Sequence, residues 1–196
     1  MGKTLEFYFD VGSPASWLAY TQLPALCAQA GARLQYRPML LGGVFQATGN
    51  HSPVTVPAKG RYIFGDFARF AARYGVPLVV NPHFPINTLL PMRIAAGLQG
   101  RDDPRFADFL ETVFRAIWAE ARDMNDAATV AATLQAAGFD PQALLALAND
   151  AGTKELLKAQ TAEAVARGVF GAPTFFVDGA MFWGQDRLDF VREALA

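Results

Sequence analysis

Apolar and polar residues alternate over residues 4–10, Thr4-Leu5-Glu6-Phe7-Tyr8-Phe9-Asp10, and the apolar positions are rich in aromatics. A period of two with such side chains predicts a strand. The period then lengthens. Ser13 is a good N-cap and Pro14 suits the first helical position, so a helix is expected from there to about Ala30, stopped by Gly31. Pro24, inside that helix, predicts a kink. Residues 33–39 read as a second strand. At the far end, Thr174-Phe175-Phe176-Val177 predicts a strand and Asp178-Gly179 a two-residue hairpin turn, with Ala180-Met181-Phe182-Trp183 as the returning partner. A last helix is expected to start around Gln185-Asp186 and to turn Leu188, Val191 and Leu195 inward.

The middle of the chain has helical spacing throughout. Residues 57–74 carry Phe64, Phe67, Ala68 and Ala71 on one face, and residues 88–99 follow with Thr88 as cap. Asp103-Pro104 opens a helix bearing Phe106, Phe109, Leu110, Val113, Phe114 and Ile117. Asp126 caps a shorter one that ends at Gly138, Asp140-Pro141 starts another, and residues 152–167 form the last before the closing strands. Residues 42–56 are expected to be a mobile loop and residues 75–87 an irregular stretch. A β-α-β unit at the start and a β-β-α unit at the end define an α/β chain of thioredoxin-like topology. Residues 1–44 and 152–196 would form that domain, and residues 45–151 a large all-helical insertion.

Composition narrows the chemistry. The 196 residues are 52% hydrophobic, enough for a sizeable core, and the formal net charge is -1 with a pI near 6.1. Near-neutral charge gives no electrostatic footprint for nucleic acid or an anionic membrane. No apolar run reaches the roughly 20 residues that span a bilayer. The first residues lack a basic region followed by an apolar stretch, so a cytoplasmic protein is expected. Cys27 is the single cysteine, which excludes an intramolecular disulfide and a Cys-rich metal site. The two histidines, His51 and His83, are too few for most zinc sites, and no metal is expected. The chemistry therefore falls to hydroxyls, carboxylates, arginines or a reagent brought from outside.

Three places could carry it. Ser13-Pro14-Ala15-Ser16 occupies the strand-to-helix turn that holds Cys-x-x-Cys in thioredoxin-fold oxidoreductases. A helix N-terminus there lowers a thiol pKa through backbone N–H groups and the dipole. With serine at both positions a local dithiol is lost, but a ligand's thiolate could occupy the same geometry. Ser13 acting only as a helix cap is the alternative. Pro173, just before the third strand, is either an ordinary trans proline or a cis proline that turns the Ala172 backbone toward an extended peptide. Gln185 and Asp186 either start and cap the last helix or hold the amino end of a peptide-like ligand.

Taken together, Phe7-Tyr8-Phe9-Asp10 with Ser13-Pro14-Ala15-Ser16, Val169-Phe170-Gly171-Ala172-Pro173-Thr174, and Phe182-Trp183-Gly184-Gln185-Asp186-Arg187-Leu188 resemble the 2-hydroxychromene-2-carboxylate isomerase family. Kappa-class glutathione transferases and, more remotely, the disulfide oxidase DsbA are related to it. The resemblance covers nearly the whole chain, including Thr48-Gly49-Asn50, Pro57-Ala58-Lys59-Gly60-Arg61-Tyr62, Phe84-Pro85-Ile86-Asn87-Thr88 and Trp118. It implies glutathione as cofactor, an aromatic carboxylate as substrate and a homodimer, with a transferase of kappa type as the alternative activity. It also implies that Ser13 hydrogen-bonds the glutathione sulfur, that Asn50 and Lys59 bind its backbone and glycine carboxylate side, that Ala172 before Pro173 pairs with the cysteinyl portion, and that Gln185 and Asp186 hold the γ-glutamyl group. Gln185 departs from the asparagine common in that family.

Cys27 reads as a buried small hydrophobe. His51 reads as a solvated loop histidine. His83 and Asn87 are candidates for the second-substrate pocket, and Arg93 is a candidate for a bidentate contact to an organic carboxylate. Trp118 and the Phe64/Phe67/Phe70 group read as core or subunit contact before pocket.

Overall fold

The computed structural model describes residues 2–196. Four strands, β1 (Thr4–Phe9), β2 (Arg33–Pro38), β3 (Thr174–Val177) and β4 (Ala180–Trp183), form one sheet in the order β2-β1-β3-β4. β1 and β2 are parallel, with Phe7 opposite Tyr36. β3 runs antiparallel to β1, with Phe175 opposite Phe7, and β4 runs antiparallel to β3. The β3–β4 turn places Asp178 and Gly179 both at positive φ, 49° and 85°, as a two-residue turn matched to strand twist requires.

Because side chains alternate across a strand, the sheet feeds two cores. Leu5, Phe7, Phe9, Phe175 and Val177 enter the larger one, where the Phe7 ring stacks on Phe9 at 5.0 Å and Phe175 at 5.6 Å between centroids. Helix α1 (Pro14–Ala30) packs there through Trp17, Leu18 and Leu23 and ends at Gly31, whose φ of 61° suits glycine. Cys27 is buried in this core, and burial pushes its thiol pKa up, away from thiolate. Tyr8 and Phe176 enter the smaller core on the opposite face with Met39, Val44, Ala164 and Val169.

Between β2 and β3 run α2 (Leu41–Thr48), a 3-10 turn (Pro53–Thr55), α3 (Pro57–Tyr74), α4 (Leu89–Gly100), α5 (Phe106–Trp118), α6 (Ala127–Ala136), α7 (Pro141–Asn149) and α8 (Ala151–Ala166). Asp126, Asp140 and Asp150 cap α6, α7 and α8 through their carboxylates, the first two as their sequence positions predict. Trp118 is fully buried and donates from Nε1 to the Val11 carbonyl at 2.8 Å, tying α5 to the end of β1. After β4, a 3-10 turn (Gln185–Arg187) leads into α9 (Leu188–Leu195), which buries Leu188, Val191 and Leu195. No helix among the described residues is long and apolar enough to cross a membrane.

Three expectations are corrected. Residues 41–48, expected within or beside a mobile loop, are helical despite Gly42 and Gly43, and this helix runs across the 44/45 division expected from the sequence. Its first N–H, on Leu41, is taken by the Asp10 carboxylate at 2.8 Å, and Val44 is buried, so tertiary contacts override the glycine penalty. Thr88 occupies the cap position of α4, but its hydroxyl donates to Asp10 at 3.0 Å rather than capping its own helix. Asp186 makes no capping hydrogen bond, since a 3-10 turn precedes α9.

On the smaller-core face, Glu6 binds two arginines. It accepts from Arg37 at 2.9 Å and from both terminal nitrogens of Arg167 at 2.9 Å, and the Arg167 guanidinium lies 3.9 Å from the Phe176 ring centroid. This pins the end of α8 to the sheet. The Arg167 and Arg37 bonds hold the Glu6 carboxyl below its ordinary value of 4.5, against the cost of burial. A depressed native pKa contributes stability that is complete above the ordinary value and is lost as pH falls through the native one. Glu6→Gln is expected to cost about 1–2 kcal/mol at pH 7, at the lower end for charged hydrogen bonds because both arginines keep solvent contact. Denaturant titrations of the two proteins should converge as pH falls below the native pKa of Glu6.

Candidate active site

A cavity of about 340 Å³ opens where β1 turns into α1. Ser13, Gly171, Ala172, Gln185 and Asp186 line one side, with Asn50 and Trp183; Phe45, Ile63, Phe64, Phe67 and Phe84 make the other side apolar. The turn after β1 supplies Ser13, α2 supplies Phe45 and the loop after it Asn50, α3 supplies Ile63, Phe64 and Phe67, the loop before α4 supplies Phe84, and the segments flanking β3 and β4 supply the rest.

Ser13 is 5% exposed and its hydroxyl is used twice. It accepts from the Ser16 N–H at 3.1 Å, which caps α1, and donates to the Ala172 carbonyl at 3.1 Å. Capping and site membership are therefore combined in one residue. The Ala172–Pro173 bond is cis, as is Phe84–Pro85, which the sequence reading did not single out. The Ala172 N–H makes no hydrogen bond within the described residues. The segment before β3 is held at two carbonyls: Asn50 donates from Nδ2 to the Phe170 carbonyl at 2.8 Å, and the Thr174 hydroxyl donates to the Gly171 carbonyl at 2.8 Å. Gly171 is required by proximity, because a Cβ there would lie 2.6 Å from the Trp183 indole nitrogen.

Gln185 is 4% exposed, and its Oε1 is buried without a hydrogen-bond partner. An orphaned buried acceptor costs roughly 1–3 kcal/mol and calls for a donor. Asp186, beside it, is partly exposed, with Arg187 at 3.6 Å. A donor-rich, positively charged ligand end would satisfy both side chains, and a peptide-like ligand with a thiol fits the rest: its backbone against Ala172, its sulfur at the start of α1. The residues present thus suit glutathione.

Of the sequence-predicted residues, the fold brings Ser13, Asn50, Ala172, Gln185 and Asp186 to one cavity, with Pro173 buried directly behind. Lys59 is exposed on the first turn of α3 and does not line the cavity, though Ile63, one turn on along the same face, does. His83, Asn87 and Arg93 are not brought there. His83 turns to Asp123, with Nδ1 3.3 Å from its carboxylate, and Asn87 accepts from the Leu89 N–H at the start of α4. Arg93 lies on α4, which contributes no residue to the cavity wall. Phe84 is the residue of that segment that faces the cavity. His51 lines it too, as do Phe64 and Phe67, which are at the same time part of the larger core or packed against it, as expected. Asp10 and Trp183 were given no role; an acid closing an apolar strand three residues before Ser13 was the available signal.

The architecture is that of a DSBA-like thioredoxin domain, and the sequence matches the family of that description over residues 4–196. A 2-hydroxychromene-2-carboxylate isomerase of Sphingobium xenophagum is 37% identical, covering 100% of this chain and 99% of the relative. A solved 2-hydroxychromene-2-carboxylate isomerase superposes with a TM-score of 0.83 at 31% identity, covering 98% of this chain and 94% of that one. Glutathione S-transferase kappa 1 of Rattus norvegicus is 28% identical, covering 95% of this chain and 88% of the relative. The chain belongs to the DSBA-like thioredoxin family and, within it, to the 2-hydroxychromene-2-carboxylate isomerase family.

Proposed function

We propose that this protein is a glutathione-dependent cis–trans isomerase of 2-hydroxychromene-2-carboxylate, or of a similar carboxylate from aromatic degradation, in which Ser13 stabilises the glutathione thiolate. The observation that carries the reading is that one cavity is lined by Ser13 at a helix N-terminus, by Ala172, whose N–H has no hydrogen bond within the described residues, and by Gln185, whose buried Oε1 has no partner. When bound, glutathione supplies a sulfur nucleophile that adds reversibly to a conjugated double bond, permits rotation and is released unchanged.

The chain's own groups prepare that step. An ordinary thiol has a pKa of about 8.5, and bringing it near 7 takes roughly 2 kcal/mol. The α1 N-terminus supplies part of this through its dipole, up to ~2 kcal/mol in a partly buried setting. Ser13 supplies the remainder as a charge-assisted donor. For this its proton swings from the Ala172 carbonyl to the sulfur. That movement frees the carbonyl to accept from the ligand's backbone N–H, so ligand pairing and thiolate stabilisation are coupled. Gln185 accepts from the ligand's amino end, Asp186 neutralises its charge, and Asn50, which lines the cavity where Lys59 does not, serves the glycine end. Phe45, Phe64, Phe67 and Phe84 offer a dry face to a flat aromatic substrate.

A kappa-type glutathione transferase is the second reading, favoured by the kappa-class relative and requiring the same thiolate. The family resemblance also supports a cytoplasmic homodimer. Mixing the protein with glutathione and a chromene carboxylate is expected to change the absorbance of the carboxylate without consuming thiol. Thiol loss with a chlorinated electrophile, and no isomerisation, would instead select the transferase.

A further inference from the structure

Asp10 closes β1 three residues before Ser13 and is 1% exposed. Its Oδ1 accepts from the Gly12 N–H at 2.8 Å; its Oδ2 accepts from the Leu41 N–H at 2.8 Å and from the Thr88 hydroxyl at 3.0 Å. Its backbone carbonyl accepts from the Ser13 N–H at 3.1 Å. The donors come from three segments that meet beside the cavity. Gly12 and Ser13 form the turn into α1. Leu41 begins α2, and both Leu41 and Phe45 line the cavity. Thr88 ends the segment that carries Phe84. The three starts, at Pro14, Leu41 and Leu89, converge on one carboxylate, and neither α2 nor α4 has a side-chain cap of its own. The junction is tight, since a Cβ on Gly12 would lie 2.8 Å from the Thr88 methyl carbon.

We propose that Asp10 is the positioning residue of this site, locking the Ser13 turn, α2 and the start of α4 in the relative placement that brings sulfur and second substrate together. This rests on the reading of Ser13 as the thiolate donor. Every group facing the carboxylate is a donor, so both oxygens must accept. An asparagine would keep the Gly12 bond but turn an N–H group toward the Leu41 N–H. Of the groups assigned to glutathione, Ala172, Gln185 and Asp186 come from other elements, and Asn50, although it follows α2, is tied to the Phe170 carbonyl at 2.8 Å, so all four should keep their places. Misplacement of about 1 Å away from the chemistry can lower turnover by roughly 100-fold.

The test measures kcat, the calorimetric Kd for glutathione and amide hydrogen exchange in three variants. Asp10→Asn is expected to lower kcat about 10- to 100-fold with Kd within about threefold of wild type, and to speed exchange at Leu41. Thr88→Val, which deletes one donor, is expected to lower kcat about threefold or more, and Thr88→Ser to restore it. A kcat for Asp10→Asn within about twofold of wild type, or a loss matched by weaker glutathione binding, overturns the proposal. Should Asp10→Asn not fold, an unchanged kcat in Thr88→Val overturns it equally. If wild type binds no glutathione, the glutathione reading fails. The anchoring by Asp10 is then judged by exchange at Gly12 and Leu41 in Thr88→Val, where unaltered protection overturns it.

Discussion

Ser13→Ala is expected to lower glutathione-dependent turnover by roughly 10- to 1000-fold, the range for losing one preorganised donor at a developing charge. Two losses combine. The sulfur loses its charge-assisted hydrogen bond, which moves the bound thiol toward its solution pKa. The proton that switches between the Ala172 carbonyl and the sulfur is also removed, so ligand pairing no longer coincides with thiolate formation. Stability should fall by only about 1 kcal/mol, the usual cost of an N-cap, because the hydroxyl accepts from Ser16 N–H. Glutathione affinity measured at low pH, where the thiol is protonated, should change little, since Gln185, Asp186 and Ala172 are untouched. Steady-state kinetics beside calorimetry separates these effects, and a fully active variant would remove Ser13 from the mechanism.

Gln185→Leu is expected to act with opposite signs on folding and on binding. The substitution deletes a buried acceptor that has no partner and replaces it with an apolar group of comparable size. Unfolding free energy should rise by about 1 kcal/mol, within the cost range of an orphaned acceptor. For a chain of this length that corresponds to a melting temperature higher by roughly 2–4 °C. Glutathione affinity should fall about 10- to 100-fold, because the ligand's amino end would enter a buried environment without its acceptor. Turnover at saturating glutathione should be largely kept, as the sulfur lies at the far end of the ligand. A variant that is less stable and binds glutathione normally would show that Oε1 has a different purpose.

The residues gathered at the candidate cavity are legible in the sequence for reasons that differ by residue. Ser13-Pro14 marks a helix start by local chemistry alone, and a strand before it sets which end of the sheet it meets. Asp178-Gly179 states its hairpin because only a few residues accept two consecutive left-handed conformations. Asn50, Gln185 and Asp186 came from the family resemblance, not from their own surroundings. The candidates that lie outside this cavity share a cause. His83, Asn87 and Arg93 sit among prolines or on a helix whose direction sequence does not give, and a polar side chain there has local partners to satisfy. Here Asp123 and the Leu89 N–H take two of them, while Phe84 faces the cavity.

Periodicity, caps and turn residues determined the strands, most helix limits and the α/β topology, because these depend on neighbours a few positions apart. Only the tertiary structure decided that residues 41–48 are helical, that Thr88 turns from its own helix to Asp10, that Gln185 is buried without a partner, and that Phe64 and Phe67 border open space. Each of these depends on groups that are distant in the chain: the Asp10 carboxylate at the Leu41 N–H, or the walls of one cavity drawn from segments between Gly12 and Arg187. A long-range hydrogen bond leaves no period in the sequence, and an acceptor is orphaned only by what the folded chain fails to bring to it.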